Sequence, residues 1–89
     1  MLISQIAKQV VSENQAVMLR PRDHETGKPK EYDVKPLFVG NKHGWALLDA
    51  TTAKALDLCY DALNEKNKAK WDTLSFKTVI DFAWKHVSF

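Results

Sequence analysis

A single cysteine, three glycines and three prolines are spread over 89 residues, and each scarcity closes off a class of function. One cysteine cannot form an intramolecular disulfide and fits a reducing compartment, so the expected setting is cytoplasmic. The three glycines, none at P-loop spacing, provide no loop to cradle a phosphate. No apolar run approaches the roughly 18 residues of a spanning helix, so no membrane role is expected. The start Met1-Leu2-Ile3, followed by Ser4, Gln5 and Lys8, lacks the basic-then-apolar layout of a signal peptide. Charge of one sign is missing too: 13 Lys and Arg against 11 Asp and Glu leave a formal net charge of +2, far from the bias of a dedicated nucleic-acid binder.

The remaining chemistry is thin. Cys59, His24, His43 and His86 are the soft metal ligands, and no two lie at the spacing of a zinc motif. Cys59 shares a helical stripe with Leu56, Tyr60 and Leu63, where a thiol is buried and inert. Ser4, Ser12, Ser75 and Ser88 sit in no glycine-flanked elbow. Asp57 and Asp61 are four apart on one helix face but lack a convergent base or metal partner, and read as solvated helix charges near Lys54. No enzyme, cofactor or metal site is therefore expected.

What is present is a change of period. Ile3, Ile6, Ala7, Val10 and Val11 form a helical stripe ended by the polar turn Ser12-Glu13-Asn14-Gln15. Residues 16–49 then alternate as strands: 16–20, 31–35 and 45–49. The first two are joined by a charged loop containing Gly27 and the last two by Gly40-Asn41-Lys42-His43-Gly44, which predicts two hairpins. A shift of apolar parity at Lys35-Pro36 predicts a bulge. From Thr52 onward the period is helical, with Thr51 or Thr52 as the N-cap. The stripe Leu56, Cys59, Tyr60 and Leu63 is widened by Leu58 and Ala62, and Asn64 to Lys68 reads as a polar break. Phe76, Val79, Ile80, Ala83, Trp84 and Val87 form a last stripe behind Ser75 as cap. The expected fold is a single α+β domain over residues 1–89, ordered α-β-β-β-α-α, with a small curled three-stranded antiparallel sheet packed against an N-terminal helix and two C-terminal helices.

Arg20, Arg22, Lys28, Lys30, Lys35 and Lys42 gather around the hairpins. Asp23, Glu25, Glu31 and Asp33 are interleaved, so Arg20 to Lys35 holds five basic against four acidic residues. A nearly neutral, salt-bridged hairpin suits a protein partner better than a phosphate backbone. Lys66, Lys68 and Lys70 beside Trp71 could grip nucleic acid, but a domain this small needs its tryptophans for burial.

Val34-Lys35-Pro36 and Trp45-Ala46-Leu47 resemble the V-x-P and W-Y-L strands of WYL domains, a likeness confined to residues 15–49. It implies a curled, SH3-like small barrel. Tyr is replaced by Ala46, and no counterpart is found for the later arginine that WYL proteins use for ligands.

The expected function is a small non-enzymatic binding protein, an adaptor or inhibitor docking on a larger protein, in the manner of phage-encoded or accessory regulators. Arg20, Arg22, Lys28, Lys30, Lys42 and Trp45 are the expected partner-binding residues, with Trp71 and Phe89 as further anchors. The alternative is a nucleic-acid-binding module using the basic hairpin residues. Self-association through the last helix, at Trp84, Val87 and Phe89, is compatible with either.

Overall fold

The computed structural model of the chain describes residues 1–22, 28–37 and 44–86. Helix α1 (Ile3–Glu13) begins where the Gln5 side chain accepts a hydrogen bond from the Leu2 N–H, 2.9 Å. It stops at Asn14, which takes the left-handed conformation (φ 51°) and donates its N–H to the Val10 carbonyl. Asparagine tolerates that conformation because its short polar side chain offsets the strain. The expected polar turn is thus a C-cap.

Three strands follow: β1 (Val17–Pro21), β2 (Tyr32–Pro36) and β3 (Ala46–Leu48). The α+β class and the antiparallel sheet stand as read from the sequence, but the strand order does not follow from it. The order is β2-β1-β3, with β1 central and both neighbours antiparallel to it. The second expected hairpin is therefore a crossover: β3 pairs with β1 (Val17↔Leu48, Leu19↔Ala46) and leaves β2 alone. Alternation along a strand reports which side chains share a face and is silent on which strand lies alongside. Nor does the ladder bulge at Lys35-Pro36; the β1–β2 register runs unbroken from Pro21↔Tyr32 to Val17↔Pro36. Pro36 is accommodated as the last residue of an edge strand, one of the few sheet positions a missing donor does not disturb.

Helices α2 (Ala50–Asp61), α3 (Glu65–Trp71) and α4 (Phe76–His86) complete the order. The N-cap of α2 is Asp49, whose carboxylate accepts from the Thr52 N–H at 2.8 Å, in place of the expected Thr51 or Thr52. The polar stretch expected to break the helix instead starts another. Asn64 caps α3 by accepting from the Asn67 N–H at 2.9 Å, with Glu65 in the first turn and Lys68 and Lys70 in the last, the charge order a helix dipole favours. Ser75 caps α4 as expected, accepting from the Thr78 N–H.

The core lies between the helices and one sheet face. Ile3, Ile6, Ala7 and Val10 of α1 meet Val17, Leu19, Tyr32 and Leu48 of the sheet, Ala53, Leu56 and Cys59 of α2, and Val79 and Ala83 of α4. Each of the larger side chains contributes about 1.5–3 kcal/mol by leaving water. Trp71 is buried, with Tyr60 and Phe82 at ring distances of 6.5 and 5.8 Å, so the short α3 serves to deliver an aromatic into the core. Leu58 and Ala62 point outward, and Trp84 is 46% exposed, so these three leave the stripes assigned to them. Val87 and Phe89 lie outside the described residues.

Asp72 ties three of these elements together. Its buried carboxylate accepts from the Ser4 N–H (3.0 Å) and Ser4 Oγ (2.8 Å) at the start of α1. Its carbonyl accepts from the Lys30 N–H ahead of β2, at 2.8 Å.

Candidate interaction surface

Strand parity assigns each side chain to a face. Val17, Leu19, Tyr32, Val34, Ala46 and Leu48 turn toward the helices. Met18, Arg20, Asp33, Lys35 and Leu47 turn the other way, and the register sets Met18 beside Lys35 and Leu47, with Arg20 beside Asp33. No described helix covers this second face: Leu47 is 52% exposed, and Arg20 and Lys35 are exposed.

The charged groups on it are organised around two hubs. Asp33 receives Arg20 Nη2 at 3.2 Å on one carboxylate oxygen and Arg22 Nε at 2.8 Å on the other. These bonds, Arg22's first, hold the Asp33 carboxyl below its ordinary range and raise the Arg22 guanidinium in turn. The second hub is Trp45, half-buried at the entry to β3, with the Arg20 guanidinium 4.7 Å and the Lys35 ammonium 5.2 Å from its ring centroid. Both cations sit within reach of the negative ring face. Arg20 joins the hubs, and its stem also lies against Gly44, whose φ of +81° suits glycine and where an added Cβ would stand 3.5 Å from Arg20 Cδ. Arg20, Arg22, Asp33, Lys35 and Trp45 line a shallow depression of about 400 Å³.

Of the residues expected from sequence, Arg20, Arg22 and Trp45 are brought together. Lys28 is exposed, and Lys30 is half-buried with its backbone tied to Asp72. Lys42 lies outside the described residues. Met18, Leu47 and the central role of Asp33 were not anticipated. Their signal is present as three pairs spaced by two: Met18 with Arg20, Asp33 with Lys35, and Trp45 with Leu47. Reading those pairs as one face requires the strand order.

Among the described residues no group of His, Cys, Asp and Glu could hold a metal ion. Burial pushes the Cys59 thiol up from its ordinary value, which keeps it protonated. Asp57 and Asp61 are bridged by Lys8 of α1, at 2.6 and 2.9 Å. They staple two helices, with Lys8 as the partner rather than Lys54. No described helix is long and apolar enough to cross a membrane. Comparison with family models, with curated proteins and with solved structures finds no match to this chain.

Proposed function

We propose that the chain is a non-enzymatic binding protein that docks on an acidic surface of a larger protein through the open sheet face. The observation that carries this reading is that face: an aromatic ring held by two cations beside exposed Leu47, with Met18 between the strands, while the helices occupy the opposite side. Interfaces of this kind draw most of their energy from a central aromatic or arginine, with surrounding groups excluding water. Among the described residues, Arg20, Arg22 and Lys35 outnumber the Asp33 and Glu31 carboxylates beside them, and that positive balance steers an acidic partner and suppresses wrong ones. The WYL-like stretches enter only as strands, since residues 34–36 end β2 and residues 45–47 lead into β3.

The nucleic-acid reading draws on the same cations and is disfavoured by their engagement. Asp33 holds both arginines, and Arg20 occupies the ring face on which a base would stack. The test is a photo-crosslinking residue at Leu47, with Lys54 on α2 as the control position. Nuclease-resistant crosslinking to one acidic protein from Leu47 alone is expected. Crosslinks lost on nuclease treatment, or equal from both positions, would overturn the reading.

A further inference from the structure

Pairing across the sheet sorts the open face into rows. The register sets Lys35, Met18 and Leu47 side by side on β2, β1 and β3. The next row is Asp33 and Arg20, with the Arg20 guanidinium reaching the Trp45 ring at 4.7 Å. Past the end of the ladder the Arg22 N–H donates to the Glu31 carbonyl at 2.9 Å, so these two form a third row. The second and third rows each hold an acid and a base. Asp33 accepts from both arginines, at 3.2 and 2.8 Å, and Arg22 also feels the Glu31 charge. The first row has a base and no acid. Among the described residues Lys35 makes no ion pair: its ammonium meets the Trp45 ring at 5.2 Å, and Glu13 of α1 lines a groove with it without pairing. Beside it stand the half-buried Met18 and Leu47, 52% exposed.

We infer that Lys35, rather than either arginine, takes the carboxylate of the partner, and that the partner presents this acid next to an apolar side chain covering Met18 and Leu47. This rests on the docking function proposed above and names the contact within it. A carboxylate arriving at Arg20 or Arg22 must exchange with Asp33, so the bond made replaces a like bond broken. A carboxylate at Lys35 displaces nothing. Neighbouring strands lie about 4.8 Å apart, so Met18 and Leu47 stand about 5 and 10 Å from Lys35 across the row. Side chains two residues apart on an extended segment, separated by about 6.6 Å, span that distance. Asp33 then acts by exclusion, since it repels a second acid on the arginine side and so favours partners that carry none there.

The arginines serve as the frame of this contact. Arg20 is fixed by the Trp45 ring, by Asp33 and by its stem against Gly44, and it steadies the ring on which the Lys35 ammonium rests. The ring holds the ammonium near the Met18 and Leu47 row through its negative face. A contact of that kind uses no N–H in a conventional hydrogen bond, so the three ammonium donors stay available to an incoming carboxylate.

The probes are synthetic heptapeptides that place glutamate and leucine two residues apart, in both orders, with glutamine in place of the glutamate as the control. Each is titrated at low salt into the intact chain, and binding is followed by NMR amide shifts. Expected are shifts centred on Met18, Lys35 and Leu47, and a preference for the glutamate peptide that disappears in Lys35→Gln. That substitution should weaken the glutamate peptide about threefold or more, while Arg22→Gln stays within about twofold of the native chain. The preference reports the acid's own contact, which a change in stability alone would not move. A preference kept in Lys35→Gln and lost in Arg22→Gln would put the carboxylate on the arginines, overturning this inference and leaving the docking face intact. Equal binding of the glutamate and glutamine peptides, shifts centred elsewhere, or no shifts would overturn the reading of the face as an acid-binding surface, and the inference with it.

Discussion

Replacing Asp72 by alanine removes one side chain and disconnects α1 from α3, so it is the sharpest probe of how this fold is held. The carboxylate accepts two hydrogen bonds from Ser4, 68 residues away in sequence, and both residues are 7% exposed. A hydrogen bond to a charged group contributes about 1.5–3 kcal/mol, and a buried donor left without its acceptor costs about 1–3 kcal/mol. A negative charge near the start of a helix adds about 0.3–1 kcal/mol, offset here by its place at the C-cap of the short α3. These contributions overlap, and the net loss for Asp72→Ala is about 3–4 kcal/mol. For a domain of this size that lowers Tm by roughly 12–30 °C, at about 4–8 °C per kcal/mol. Asp72→Asn keeps an acceptor and the shape, and should lose about half as much. Ser4→Ala combined with Asp72→Ala should show a coupling above about 1 kcal/mol in a double-mutant cycle. The assay is urea unfolding followed by circular dichroism. A loss below about 1 kcal/mol for Asp72→Ala, or additive single changes, would refute the reasoning.

Four further outcomes follow from named contacts. Tyr32 Oη is buried with no hydrogen-bond partner among the described residues, so Tyr32→Phe should leave stability unchanged or raise it by up to about 1 kcal/mol, and a loss above about 1 kcal/mol in urea unfolding would contradict this. The Lys8 bridge is half-exposed; its coupling to Asp57 should be about 0.5 kcal/mol by double-mutant cycle and shrink in 1 M salt. Hydrogen bonds from Arg22 and Arg20 depress the Asp33 carboxyl in the folded state, so the stability it adds is present above about pH 4 and is lost as pH falls through the folded value. The Tm gap between the native chain and Asp33→Asn should therefore close on acidification, and a gap constant from neutral to acid pH would count against the Asp33 hub. Cys59, 7% exposed and held protonated by burial, should react with a thiol reagent at pH 8 only after denaturant is added, and rapid native labelling would place it outside the core.

The helices and strands were legible because burial writes its period into the sequence. Ile3, Ile6, Ala7 and Val10 recur as one helix face and are all buried. The cap of α2 was missed by two or three residues because Asp49 also reads as the end of a strand, and α3 was missed because a seven-residue helix with one buried side chain has no stripe to display. Strand order was beyond reach: nothing in the alternation of residues 31–35 or 45–49 distinguishes pairing with each other from pairing with a common neighbour. Long-range polar contacts were equally hidden. Ser4 with Asp72 and Lys8 with Asp57 are joined across the fold by geometry alone.

The same missing information governed how the hairpin's charge was read. Counted along the chain, Arg20 to Lys35 holds five bases and four acids, and such near-cancellation argues for a passive, self-paired surface. Counted by face, the balance changes. Glu31 is neutralised in part by the Met1 amino group at 2.7 Å, while its charge is also felt by Arg22. Among the described residues the open face holds Arg20, Arg22 and Lys35 around Asp33, with Trp45 between two of the three cations. A field is felt by a partner over roughly the 8–10 Å of a Debye length, a distance on which the face rather than the segment is the unit of charge. The sign of that face, and with it the preference for an acidic partner, therefore depends on the β2-β1-β3 order as much as on composition.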